Sequence, residues 1–237
     1  MNATKQMRIW DINPGYLNRQ SLLGEHRELH AIVSVITNNK KGYSNHPETL
    51  RWKGHGRALT LRHDLLVAEM SLRGFRHKSP LPPPPETGEW PVKYIDEPYR
   101  QFSLLENKYK HKEQGRISLP RNARQLWHQH RYSVLARNPD IYEAISSAVS
   151  RMKKNENFSD LANELTEILR QQPSSRGIRN ALQHMQRHMS DFSLPDGRAS
   201  ESLSLKTLLM NIQQRTMADN ASYLTASTAL SELDVWI

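Results

Sequence analysis

Leu22, His26, Leu29, Val33 and Ile36 recur at steps of four, three, four and three. That is the seam of one buried helix face, and it predicts a first long helix over about residues 17–37. The pattern stops at NNKKGYSNHP. Asn38 and Asn39 tolerate left-handed backbone, Gly42 permits it freely, and Pro47 cannot continue a helix. Pro47 instead suits the first turn of a short new helix, PETLRW. Leu61, Leu65, Ala68 and Leu72 put a third helix at about 57–73, with Gly74 placed to end it. The stretch SPLPPPPETGEWP (79–91) reads as a polyproline II strut or loop. Helical composition returns over 96–113, and GRISLPRN (115–122) carries the Gly and Pro expected at a domain boundary.

The second half reads as wholly helical, with segments at about 121–136, 139–152, 158–171, 175–190, 202–218 and 221–235. Asn138-Pro139 and Pro173-Ser174-Ser175 are helix-start signals. SLPDGRASES (193–202) reads as a turn and linker. No alternating strand pattern of useful length occurs. The expected fold class is therefore all-α, with one helical domain over 1–118 and a second over 119–237.

Composition narrows the function classes. The chain of 237 residues contains no cysteine, which excludes disulfides, iron–sulfur clusters and thiolate zinc sites. No apolar run approaches a membrane span and the first ten residues hold no secretory core, so a cytoplasmic protein without membrane contact is expected. The formal charge is +9, and it is uneven. Residues 1–120 hold 19 Lys and Arg against 12 Asp and Glu, whereas 121–237 hold 14 against 12. A basic N-terminal half fits a polyanion partner such as nucleic acid, although charge alone fits a basic protein without one equally well.

Candidate chemistry concentrates in the same half. Within GEHRELH (24–30), Glu25 and Glu28 are three apart and so project from one side of a helix. Taken alone, this is an exposed charged turn of an amphipathic helix. His26 and His30, like His184 and His188, have i, i+4 spacing that can hold a metal, but no HExxH pattern accompanies them. They read as surface or core histidines, and neither a metal nor a cofactor is expected. The run KKGYSNHPETLRWKGHGR (40–57) mixes Lys40, Lys41, Arg51, Lys53 and Arg57 with Tyr43, His46, Trp52 and His55. Cations for phosphates and aromatic platforms for bases are the parts of a nucleic-acid surface. A basic loop whose Trp52 only anchors it to the core would look the same.

Four pieces in order, MRI, LNRQSLLGEHREL, NHPETLRWKGHG and RHDLLVAEMSLRGFRHK, make residues 7–81 resemble the pyrimidine-dimer DNA glycosylase family of the endonuclease V type. The resemblance implies an all-helical domain that binds double-stranded DNA and flips a base. It implies attack on sugar C1′ by an amino-terminal amine, and a helix-borne glutamate that assists glycosidic cleavage and β-elimination. By position that glutamate is Glu28. Arg8 matches an arginine near the amine, Glu25 and Arg27 flank the glutamate, and Arg76 and Lys78 join the DNA-binding set. The amine corresponds to Met7, so it exists only where the mature chain starts there; Lys5 is the substitute nucleophile. The alternative is a non-catalytic nucleic-acid-binding protein on the same scaffold.

LWHQHRYSVLARNPDIYEAI (126–145) and PSSRGIRNALQHMQRHMSDF (173–192) make the second half resemble the YbgA-like domain of unknown function. That resemblance implies a role toward tRNA, and hence RNA as a second candidate partner. Arg176, Arg179, Asn180, Gln183 and His184 would form one polar helix side. A capping network between helices is the structural alternative for the same five residues.

Overall fold

The computed structural model describes residues 7–82, 88–189, 203–218 and 222–237. Its elements are helical, and the described residues contain no strand. The chain divides into two compact units, Met1–Gly115 and Arg116–Ile237. From Pro83 onward the proline run, the linker expected at 193–202 and Lys5 all lie outside the described residues. No helix among the described residues is long and apolar enough to cross a membrane.

In the first unit, a 3-10 turn at Pro14–Tyr16 leads into α1 (Arg19–Thr37), α2 (Pro47–Trp52), α3 (Gly56–Leu72) and α4 (Pro98–Tyr109). The ends of these helices have local causes. The Asn18 carboxamide oxygen accepts the Ser21 N–H at 2.9 Å, capping α1. Pro47 opens α2 and Pro98 opens α4. Gly74, at φ +77°, closes α3: its N–H reaches the Ser71 carbonyl and the Phe75 N–H reaches Met70.

The buried face of α3 differs from the expected one. Leu61, Leu65 and Leu72 are only half-buried, whereas Leu59, Arg62, His63, Leu66, Glu69 and Met70 are buried. The apolar count missed this face because polar residues occupy it. Their burial is offset by partners: Arg62 with Glu25 of α1, and Glu69 with Arg73 at 2.6 Å.

The stretch before α1 is the structural centre of this unit. Four successive backbone N–H groups, of Arg8, Ile9, Trp10 and Asp11, donate to side chains of Glu28, Glu48, Glu25 and Gln101. An extended chain buried among helices has no strand partner for these donors. The carboxylates and the carboxamide supply one.

The second unit is built around α5 (Ala123–Leu135), which packs against α6 (Pro139–Arg151), α7 (Ser159–Arg170) and α8 (Ser175–Arg187). Asn122, Asn138 and Ser174 cap α5, α6 and α8 with side-chain oxygens. A Cβ on Gly177 would lie 2.0 Å from the Ala136 carbonyl oxygen, so only glycine lets α8 approach α5 this closely. α9 (Leu205–Ala218) follows.

The single helix expected over 221–235 is not formed. The chain instead makes α10 (Ser222–Thr225), α11 (Ala229–Glu232) and a final 3-10 turn, Leu233–Trp236. The cause is non-local. The Thr228 N–H and hydroxyl both donate to the Gln129 carbonyl, at 2.8 and 3.0 Å. The Arg116 guanidinium takes the carbonyls of Thr225 and Ser227. Backbone groups committed to α5 and Arg116 cannot also continue a helix.

His130 in α5 is buried, and burial lowers its pKa to about 4, opposed by its bond to the Leu126 carbonyl. Unfolding restores an ordinary imidazole near 6.5. The unfolded chain therefore binds the extra proton between about pH 6.5 and 4, and stability falls as pH drops through that window. The loss is up to about 3 kcal/mol. Burial lowers His128 and His184 too, so the comparison must be made against a variant. His130→Gln should show a shallower decline than the parent chain when exchange of the α5 amides is followed from pH 7.5 to 4.5.

Candidate active site

One side of α1 forms the wall of a cleft of about 630 Å³ in the first unit. Glu25, Glu28, Gly24 and Arg27 line it from α1, Arg8 and Trp10 from the extended segment, and Leu104, Lys108 and Lys112 from α4 and just beyond. The cleft mixes two carboxylates with four cations.

The two glutamates do different things. Glu25 is buried, and its two oxygens take Arg62 Nε at 2.7 Å and Nη2 at 2.9 Å, with the Trp10 N–H at 3.2 Å. Burial pushes its carboxyl up, and the Arg62 charge and hydrogen bond act against that. Glu25 was expected among the nucleic-acid contacts; it is instead an internal strut, because its charge is already matched by a buried guanidinium. Glu28 is half-exposed at the cleft. Its Oε2 accepts the Arg8 N–H at 2.8 Å, which sets its carboxylate one residue from the main-chain nitrogen of Met7.

The side chain of Arg8 lies 2.6 Å from Asp96 and its guanidinium carbon is 5.0 Å from the centre of the Trp10 ring. Lys108 is the cleft residue that sequence reading passed over. It is exposed, its ammonium lies 5.9 Å from the Trp10 ring centre, and partial desolvation against the cleft wall lowers its pKa while the Glu28 charge raises it. The sequence signal was weak: KYKHK at 108–112 reads as a solvated basic helix end.

The basic run 40–57 splits in two. Lys40, Lys41 and Lys53 are exposed, as are Arg27, Arg76 and Lys78. Arg57 is exposed and 3.3 Å from Glu89, and the His55 ring donates to the Glu89 carbonyl. Two expected surface contacts are corrected. Trp52 has no exposed surface and donates to Glu48 at 3.2 Å. Arg51 is buried against Asp11 and Glu48. A ring that anchors α2 cannot stack on a base, and a guanidinium held by two carboxylates has little charge left for a phosphate.

On the opposite side of α1, His26 and His30 meet His63 of α3 and His77, which follows α3. Burial lowers the pKa of His26 to about 4, and that of His30 also falls. The i, i+4 pair was visible in the sequence; the two partners were not. In the second unit, Arg176 is exposed, while Asn180, Gln183 and His184 are half-buried and Arg179 donates to the Leu203 carbonyl at 3.0 Å. That bond supports the capping alternative for Arg179.

Residues 7–83 match the model of the family described as pyrimidine dimer DNA glycosylase. This glycosylase-like segment contains Met7, Arg8, Glu25 and Glu28 and the whole of α1 to α3. Residues 131–205 match a family described as a protein of unknown function, DUF1722. Both matches fall where the sequence motifs placed their two resemblances. Neither a curated protein nor a solved structure matches the chain.

Proposed function

We propose that the chain is a cytoplasmic DNA-repair enzyme, a glycosylase and abasic-site lyase acting on damaged duplex DNA. The observation that carries this reading is the Glu28 carboxylate, fixed 2.8 Å from the Arg8 N–H within a basic cleft of the glycosylase-like segment.

The chemistry follows from the reacting bond. An unprotonated amine attacks C1′, and the glycosidic bond breaks with its electron pair leaving on the base. Positive charge builds on the sugar, and a fixed carboxylate beside it stabilises that charge. One nitrogen proton passes to the departing base, and the C1′–O4′ bond then breaks, O4′ taking a proton, to leave a protonated imine at C1′. Removal of a C2′ proton then expels the 3′ phosphate and cuts the strand. The sugar carbon is shielded in a stacked duplex, so the nucleotide has to leave the stack first.

In a chain that begins at Met7, the α-amine is the nucleophile, since Glu28 already holds the adjacent residue. Lys108 supports a second reading of the nucleophile: it lines the same cleft as Glu28, and partial desolvation makes its amine easier to deprotonate. RNA is the alternative partner of the second unit, carried on α8 by the exposed Arg176.

Duplex oligonucleotides carrying one cyclobutane dimer or one abasic site test the reading. Strand cleavage at the lesion is expected; binding without cleavage would leave the non-catalytic alternative. Affinity should also fall steeply with salt, as phosphate contacts release counterions. Replacing exposed Lys40, Lys41 and Lys53 with Ala should flatten the log–log slope by up to about 3 units. An unchanged slope would place the contact surface elsewhere.

A further inference from the structure

His26, His30, His63 and His77 offer one ring nitrogen each, and these atoms all lie within 4.8 Å of one another. His26 and His63 are more than nine-tenths buried. The Nε2 atoms of all four rings are buried and have no hydrogen-bond partner. Four polar atoms from three chain segments, aimed at one point without partners, are costly as a purely structural cluster. Ring stacking does not account for them, since neighbouring pairs meet at interplanar angles from 34° to 85°.

Two of the four rings are also held where a second shell would hold them. His63 Nδ1 lies 3.3 Å from Asp64 Oδ1, and His30 hydrogen-bonds to the Ser79 backbone. A proton held on Nδ1 by a carboxylate leaves the lone pair on Nε2, the arrangement of a carboxylate–histidine–metal relay.

We propose that these four histidines form a closed, tetrahedral site for a divalent zinc ion. Imidazole nitrogens bind zinc at roughly 2.0–2.1 Å, which sets ligand atoms about 3.3–3.4 Å apart. Small side-chain movements bring the present spacing to that value. Four protein ligands leave no open position, so the ion is structural and not a water-activating centre. It ties α1 to α3 and to the segment after Gly74. Because α1 presents Glu25 and Glu28 on its cleft side and the two histidines on the other, the ion fixes the rotation of the helix that carries the cleft carboxylates. The proposal needs no DNA and stands apart from the glycosylase reading.

The test uses the full chain stripped of metal by a chelator and titrated with cobalt(II) chloride, then with zinc chloride. One equivalent of cobalt should give the intense visible bands of four-coordinate cobalt, and zinc should abolish them. His63→Gln and His77→Gln should each weaken binding by at least about 100-fold, beyond the range of an outer-shell loss, with unchanged helical circular dichroism. A variant that no longer folds is set aside and the other decides; should both misfold, the cobalt spectrum of the parent chain decides. Spectra of six-coordinate cobalt, no binding by the folded parent, or parental affinity in a folded variant would overturn the site.

Discussion

Glu28→Gln is expected to slow cleavage of an abasic duplex by on the order of 10²–10³-fold, the scale of removing one electrostatic stabiliser from a transition state. Duplex binding should stay unchanged. The substitution is nearly isosteric, and its carboxamide oxygen can still accept the Arg8 N–H that Glu28 holds at 2.8 Å. The extended segment therefore keeps its anchor and only the negative charge is lost. Glu28→Ala is the less informative variant, because it also leaves a main-chain donor unpaired and frees the residue next to Met7. Single-turnover cleavage measured beside gel-shift affinity separates charge from binding. Cleavage by Glu28→Gln at the parental rate would remove Glu28 from the mechanism.

The second large effect is on stability. Arg62→Leu should destabilise the first unit by about 3–5 kcal/mol, the usual consequence of stranding one partner of a buried ion pair. Glu25 would keep only the Trp10 N–H, and the Ile12 carbonyl, now bonded by Arg62 Nη1 at 2.8 Å, would lose its donor. A loss of this size is a large fraction of the stability of a whole domain. Replacing Glu25 as well, in a Glu25→Leu, Arg62→Leu pair, should restore part of it, since two apolar residues leave no buried charge. Urea denaturation followed by tryptophan fluorescence reads the parent chain and both variants. A cost below about 1 kcal/mol for the single change would mean that the pair behaves like a solvent-exposed one.

Much of the fold was legible because its signals are local. Pro47, Gly74, Asn138 and Ser174 act within one turn of their own position, and each ends or starts a helix where the sequence places it. What the sequence did not disclose depends on partners far along the chain. The break at Thr228 is made by Gln129, 99 residues away. The burial of Glu25 is made tolerable by Arg62, 37 residues on, so GEHRELH looked like a solvated turn. The same holds for the site. Glu28, which lines the cleft, is singled out in the sequence by the motif around it. Lys108 carries no motif, and only the packing of α4 brings it to the cleft. His26 and His30 showed their spacing, but His63 and His77 share no metal-ligand spacing with them that a linear reading recognises. Trp52 and Arg51 erred in the other direction, since composition cannot separate a basic aromatic surface from an aromatic anchor with a neutralised cation.

Borohydride trapping on abasic duplex DNA, followed by mass mapping of the cross-linked peptide, tests the central claim most directly. Reduction fixes the imine only if an amine of the protein has attacked C1′, so the adduct identifies the nucleophile. The measurement is made on the full chain and on a chain beginning at Met7. Attack requires approach to roughly 3–3.5 Å, so the position of the amine decides the yield. The chain beginning at Met7 should trap more efficiently, with the adduct on its terminal residue beside Glu28. An adduct on Lys108 in both forms would retain the lyase and reassign its nucleophile. If neither form traps while both are folded and bind the duplex, the imine mechanism is contradicted and the protein is a non-catalytic nucleic-acid binder.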